Sequence, residues 1–240
     1  MFDDMIRRSV PFYLEQQAMI RSLCRHFWIP GTDLYDLGCS TATTMIGLCH
    51  ELPASARLVG YDNSRAMLER ARLNVERNNF GKRIDLRYGE LNGHLHDVPL
   101  DNAGVVTMCW TLQFVRPLRR DNLIRWIYDA LAEEGVLVVT EKVLTNSVCL
   151  DPLFVDLYYD FKRRHGYTET EIARKREALE TVLVPYRLDE NLDLFRRNGF
   201  ESVDTFFQWF NFAGFLCLKK PVKSATAIRG SEDARSRGRV

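Results

Sequence analysis

Three points in the first ninety residues carry residue types suited to close contact with a polar ligand. Gly38 follows the run Leu34-Tyr35-Asp36-Leu37, Asp62 follows Arg57-Leu58-Val59-Gly60-Tyr61, and Glu90 lies just past residues 83–88. A glycine lets backbone approach a ligand closely and supplies a positive φ. A carboxylate roughly 20 residues further on stands where an acid reaches ribose hydroxyls. A second carboxylate at the next strand end can accept a bond from an adenine amino group. The loop Gly38-Cys39-Ser40-Thr41-Ala42 has one glycine and lacks the G-x-G-x-x-G pattern. A pyrophosphate would meet Cβ atoms there, so the loop suits a nucleoside without phosphates better than a nicotinamide dinucleotide. The plain alternative leaves Gly38 as a turn residue.

Arg176 is a separate signal. Ile172, Arg176, Leu179 and Leu183 fall at i, i+4, i+7 and i+11, so the arginine interrupts an apolar stripe. A buried guanidinium needs an anionic partner. Periodicity by itself favours a snorkelling side chain or a structural pair. Tyr13 reads as a core aromatic. Cys39 and Cys109 have no histidine nearby in sequence and read as inert buried thiols. His94 and His96 lie in a polar loop and read as solvated. No side chain declares itself catalytic.

These points need a scaffold that brings strand ends together, and the rhythm of the chain supplies one. Helical patterns over 12–27, 42–51 and 65–78, the last with Ser64 as N-cap, alternate with strands at 34–38, 57–61, 83–88 and 104–110. Asp121 is expected to cap a helix carrying Leu123, Ile127 and Leu131, followed by a strand at 135–140. Strands apolar on both faces and alternating with helices predict an α/β fold: a doubly wound, mostly parallel, seven-stranded Rossmann-like sheet. Residues 146–184 read as a helical insertion. Asp151-Pro152 opens one helix, with Leu153, Phe154, Leu157, Tyr158 and Phe161 on one side. Thr168-Glu169-Thr170-Glu171 opens another as a capping box. A helix over 188–198 and two strands, near 202–210 and 213–218, complete a single domain over 1–220. Residues 221–240 read as a disordered tail.

Composition narrows the class. The chain has 240 residues, 46% of them hydrophobic, and a formal net charge of +1, so no global field favours nucleic acid. No apolar run approaches the roughly 20 residues of a bilayer span. The start Met1-Phe2-Asp3-Asp4 does not read as a signal peptide. Six scattered cysteines without CxxC spacing read as reduced thiols of a cytoplasmic protein, and no zinc or other metal site is expected.

Several segments occur together in one order: Met5 to Tyr13 with Ser9-Val10-Pro11, Tyr35 to Ser40, Asp62-Asn63-Ser64, Thr111-Leu112-Gln113-Phe114, Glu141-Lys142, Asp160-Phe161-Lys162-Arg163, Lys175-Arg176 and Phe210-Asn211-Phe212. From about Met5 to Leu218 the chain resembles the carboxy-S-adenosyl-L-methionine synthase family, within the class I methyltransferase superfamily. The resemblance implies a homodimer that binds S-adenosylmethionine and prephenate. The carbon dioxide lost by prephenate is captured at the sulfonium methyl carbon, giving carboxy-S-adenosylmethionine, phenylpyruvate and water. The product then supplies a partner enzyme that modifies the tRNA wobble uridine. It also implies that Tyr13, Gly38, Cys39, Ser40, Asp62, Asn63, Glu90 and Leu91 contact the nucleoside ligand. The family position at Cys109, usually asparagine, belongs to the same site, and Arg176 reaches the added carboxylate from the neighbouring subunit. A thiol at 109 cannot supply an amide's donor and acceptor. Family chains also extend further at the N-terminus. The rival functions are an ordinary methyltransferase acting on a small molecule, which Cys109 favours slightly, and a non-catalytic nucleoside-binding dimer.

Overall fold

The computed structural model of the chain describes residues 2–220; the tail expected over 221–240 lies outside them. Strands β1 (Asp33–Leu37), β2 (Arg57–Asp62), β3 (Ile84–Tyr88), β4 (Ala103–Cys109) and β5 (Leu131–Leu144) alternate with helices α3 (Thr43–Glu51), α4 (Arg65–Arg77) and α5 (Pro117–Ala130). Two N-terminal helices, α1 (Phe2–Ser9) and α2 (Tyr13–Phe27), precede β1. After β5 come α6 (Asp151–Arg164), α7 (Glu169–Glu180), the two-residue β6 (Tyr186–Arg187), α8 (Leu188–Arg197), β7 (Ser202–Trp209) and β8 (Phe212–Leu218).

The sheet runs β3-β2-β1-β4-β5-β8-β7, with β6 pairing the far end of β5 off this path. β1 to β5 are mutually parallel, and β8 and β7 add antiparallel. Strand order reverses between β1 and β4, so a crevice opens at their carboxyl ends.

Alternation along the strands divides the core in two. Tyr35, Leu37, Val59, Tyr61, Val106, Met108, Leu137 and Val139 face α5 and α8, meeting Leu123, Ile127, Leu194 and Phe195. Leu34, Leu58, Val105, Val136 and Val138 face α2, α3 and α4, meeting Ile20, Met45, Leu48, Leu68 and Ala71. Side chains buried on both faces explain the unbroken apolar strands. Each buried Leu, Ile or Val contributes roughly 1.5–3 kcal/mol relative to exposure.

Local signals read from the sequence meet the structure unevenly. Ser64 accepts from Met67 N–H and caps α4, and Thr168 with Glu171 forms the expected capping box on α7. Asp121 does not cap α5: Pro117 sits at its first turn and Asp121 lies one turn inside. The carboxylate of Asp121 instead accepts from Arg197 and Asn198, fastening α8 to α5. α5 ends at Ala130, so Leu131 is buried as the first residue of β5 and not as part of a helix face. α7 ends at Glu180, which places Leu183 beyond the helix and shortens the stripe around Arg176. On α6, Leu153 is exposed, and the residues buried most deeply are Tyr158 and Lys162.

α1 packs against the insertion through backbone acceptors. Tyr158 donates its hydroxyl to Ser9 O at 2.9 Å, and Tyr167 donates to Met5 O at 3.3 Å. The Arg8 guanidinium donates to His165 O and Gly166 O at 2.8 and 2.9 Å and lies over the Tyr167 ring. α1, α6 and α7 thereby form a roof above the carboxyl ends of the strands.

Candidate active site

The loop after β1 packs three left-handed residues into five: Gly38, Ser40 and Ala42 have φ of 84°, 49° and 62°. A Cβ on Gly38 would run into the Thr111 side chain, so glycine is required by both conformation and space. Gly38 and Cys39 donate their N–H groups to Tyr61 O at 2.7 and 2.9 Å. Asp62 then locks the loop, its Oδ2 accepting from Ser40 N–H at 2.9 Å and its Oδ1 from Ser64 N–H at 2.8 Å. A carboxylate offers about four acceptor positions. Asp62 therefore holds the loop and still has capacity for ligand hydroxyls. Ser40 Oγ is buried and unpartnered. Beside them Asn63 Nδ2 donates to Glu90 Oε2, and Asn92 N–H donates to Glu90 Oε1, both at 2.9 Å. Glu90 thus knits the β2 and β3 ends together.

These residues open on a cavity of about 620 Å³. Every residue expected at the site lines it: Tyr13, Gly38, Cys39, Ser40, Asp62, Asn63, Glu90, Leu91, Cys109 and Arg176. Arg176 is exposed and lines the cavity of its own chain. The structure also brings in side chains to which sequence reasoning gave no role. Asp36, 2% exposed, sits at the floor and accepts from Thr107 Oγ1 at 2.8 Å. Burial, with Asp62 adding repulsion, pushes its carboxyl up to about 7. Lys142, Lys162 and Lys175 line the opposite wall with Tyr158 and Tyr159. The lysines stand inside three of the quoted segments, yet helical periodicity gives a lysine no reason to point inward.

Cys39 and Cys109 are neutral thiols, because burial pushes both far up. A neutral thiol is a poor nucleophile. His96 packs edge-on against Trp126, away from the cavity. Among the described residues, no three His, Cys, Asp or Glu side chains gather as a metal site, and no helix is long and apolar enough to cross a membrane.

A buried bracket ties the roof to the sheet. Arg120, 1% exposed, donates to Val115 O at 3.0 Å and to Val184 O, and stacks 4.0 Å above the Tyr186 ring. Gln113 O accepts from Val184 N–H, and Gln113 Oε1 accepts from Lys142 N–H, each at 2.9 Å. Glu141 lies beside Arg120. Burial pushes its carboxyl up to about 8 against the opposing pull of the arginine.

Residues 34–135 match the methyltransferase domain family. Over 219 residues the chain is 50% identical to the carboxy-S-adenosyl-L-methionine synthase of Methylococcus capsulatus, covering 91% of this chain and 89% of that protein. It is 42% identical to the synthase of the same name from Nitratiruptor, with the same coverage. The chain belongs to the carboxy-S-adenosyl-L-methionine synthase family. Members of this family are transferases on a class I methyltransferase fold. That fold is seen in YcgJ of Bacillus subtilis, with a TM-score of 0.62, 13% identity and coverage of 82% of this chain and 72% of that one. It is seen again in a geranyl diphosphate methyltransferase solved with S-adenosylmethionine, with a TM-score of 0.59, 11% identity and coverage of 85% and 83%. Cys109, at the position where the resemblance implied an asparagine, stands on the cavity wall as a neutral thiol.

Proposed function

We propose that this protein converts S-adenosylmethionine and prephenate into carboxy-S-adenosylmethionine, phenylpyruvate and water, in the cytoplasm, and so supplies tRNA wobble-uridine modification. The observation that carries the reading is that the glycine loop, Asp62 and Glu90 open on one cavity covered by α1. Its volume lies within the roughly 300–1,000 Å³ of small-molecule sites. The residues present suit an adenosyl group. Asp62 keeps free acceptor positions for ribose hydroxyls, the buried Ser40 Oγ lacks a partner, and Glu90 retains acceptor capacity for an amino group. Tyr13, Asn63, Leu91 and Cys109 complete this end of the wall.

S-adenosylmethionine supplies the methyl carbon that receives the carboxyl group, and prephenate supplies the carboxyl group. The chain's own residues bind, orient and exclude water. Arg176 offers two parallel N–H donors to the new carboxylate, a geometry that a lysine does not match. The α1 roof over the strand ends shields a reactive carbon from water and stray acids. We further read the protein as a homodimer in which Arg176 serves the ligand of the neighbouring subunit.

The test is to release the bound ligand by denaturation and weigh it, then to add prephenate and assay phenylpyruvate. The expected ligand is adenosylmethionine heavier by one carboxyl group. Plain S-adenosylmethionine with no phenylpyruvate would instead favour methyl transfer to a small molecule, the reading that Cys109 supports.

A further inference from the structure

Arg120 is the largest of the fully buried side chains, and its donors go to backbone carbonyls. Taking a guanidinium out of water is costly, and an apolar side chain of similar volume is often the more stable filling. Core stability therefore does not explain this arginine. What it holds does. Nε reaches Val115 O at 3.0 Å, and a terminal nitrogen reaches Val184 O, 64 positions further along the chain. Both segments border the strand-end cavity: Val115 lines it, and so do Leu183 and Pro185 on either side of Val184.

Val184 is held twice. Its N–H donates to Gln113 O at 2.9 Å, and its carbonyl accepts from Arg120. Its side chain is exposed, so these bonds do not serve to bury it. Gln113 is itself fixed, with Oε1 accepting from Lys142 N–H at 2.9 Å and Nε2 donating to Trp110 O at 3.3 Å. The Arg120 guanidinium lies over the Tyr186 ring, 4.0 Å from its centroid, and Tyr186 pairs with Val143 of β5. Val184 is thus fastened to the segment after β4 and, through Gln113 and Tyr186, to β5.

α7 hangs from this point. The helix buries Ile172 alone, and the turn after it, Val182 and Leu183, bonds back to Leu179 O of the helix itself. The capping box at Thr168 and the Tyr167 hydroxyl on Met5 O secure its start. Val184 secures its end. Arg176 lies between, about one turn before the helix stops at Glu180. A shift of Val184 tilts the helix and carries that guanidinium with it. We propose that Arg120, with Gln113, is a positioning residue for Arg176: by holding Val184 to the sheet it sets where the Arg176 guanidinium meets the added carboxylate. This rests on the role given to Arg176 in the proposed function. It holds for a carboxylate in the same cavity or in the neighbouring subunit's, because the anchor lies in the chain that carries the arginine. A planar fork can bond two carbonyls at once while lying flat on a ring, and an ammonium cannot.

The experiment uses the full chain. It follows S-adenosylmethionine affinity, retention of the carboxylated ligand, turnover with prephenate, and hydrogen exchange over residues 179–186. In wild type the Val184 amide should exchange slowly although its side chain is exposed. Arg120→Met should speed that exchange and lower retention and turnover by roughly 10- to 100-fold, the effect of displacing a positioned group by about 1 Å. S-adenosylmethionine affinity should stay within about threefold, which also reports that the variant folds. Arg120→Lys, reaching one carbonyl at a time, should fall between. In an Arg176→Ala background, Arg120→Met should change retention by less than about twofold, because nothing is left for it to position. Should Arg120→Met fail the folding check, Tyr186→Leu removes only the ring contact and should give the same pattern at roughly two- to tenfold.

Losses that multiply in the double variant, equal losses for the carboxylated and the plain ligand, or a Val184 amide that exchanges freely in wild type would overturn the proposal. A carboxylated ligand whose retention ignores Arg120 would keep the synthase reading and defeat the positioning role. A wild-type protein holding plain S-adenosylmethionine and forming no phenylpyruvate would defeat the synthase reading, and the exchange measurement would then decide by itself whether Arg120 anchors α7.

Discussion

The two ends of the cavity are built on different physical terms. The nucleoside end is made of strand termini, backbone N–H groups and carboxylates, with Asp62 and Glu90 each joining two segments. The roof end is made of helices that bury little. α7 buries Ile172 alone, and Val148, Leu153 and Val182 are exposed around it. Its attachment to the rest depends on α1 and on the Arg120 bracket. The first end is rigid and common to a wide fold class, and suits the part of the chemistry that such folds share. The second carries what distinguishes one enzyme on this fold from another.

The largest break in that comparison should come from Gly38→Val. The side chain must displace Thr111 while holding a left-handed φ, so S-adenosylmethionine affinity should fall by at least about 100-fold, with roughly 1–3 kcal/mol of stability lost. Calorimetry and denaturant titration measure both. An affinity within tenfold of wild type would mean that the loop is not the cofactor end.

Arg176→Ala should act on the roof alone. Retention of the carboxylated ligand should fall roughly tenfold or more, while plain S-adenosylmethionine binding changes little. Mixing Arg176→Ala with Asp62→Ala protein separates the two ways the arginine can serve. Restored activity means that it crosses to a neighbour; no restoration keeps it in the chain whose cavity it lines.

Glu141 gives a pH-dependent test of the bracket. Its folded value, near 8, is above the ordinary carboxyl value, so its contribution to stability is full at low pH and is lost as pH rises through about 8. Glu141→Gln removes that loss. The variant should melt close to wild type near pH 5 and progressively above it towards pH 8. A variant less stable than wild type at pH 8 would show that Glu141 is ionised against Arg120.

The smallest expected effects come from the two helix caps. Ser64→Ala on α4 and Thr168→Ala on α7 should each cost about 1 kcal/mol. They should differ in consequence. Thr168→Ala should raise hydrogen exchange over α7 and loosen the carboxylated ligand slightly, whereas Ser64→Ala should leave that ligand's retention intact.

The sheet and the placement of Gly38, Asp62 and Glu90 at its strand ends were legible because they obey short-range rules. Doubly buried strands show unbroken apolar runs, and in a doubly wound sheet the glycine and the acids fall at strand ends. Asp121 shows where such rules mislead, since an acid near a helix start looks like a cap even when Pro117 has already begun the helix. The roof was less legible. Lys162 lies on a helix whose apolar pattern pointed to Leu153 and Phe161, and its burial comes from neighbours on β5 and α7. The bonds of Tyr158, Tyr167 and Arg8 go to backbone carbonyls, which leave no mark in side-chain spacing.

The grip of Arg8 on the carbonyl of His165 spans 157 positions of the chain. During synthesis α1 emerges among the first segments and waits for a partner made long after β1 to β4. Contacts of such separation bear the largest loop-closure entropy and form late. A half-finished chain can therefore complete the nucleoside end while the roof is still missing. Such an intermediate would carry an open crevice at its strand ends, covered once α1 meets α6 and the turn after it.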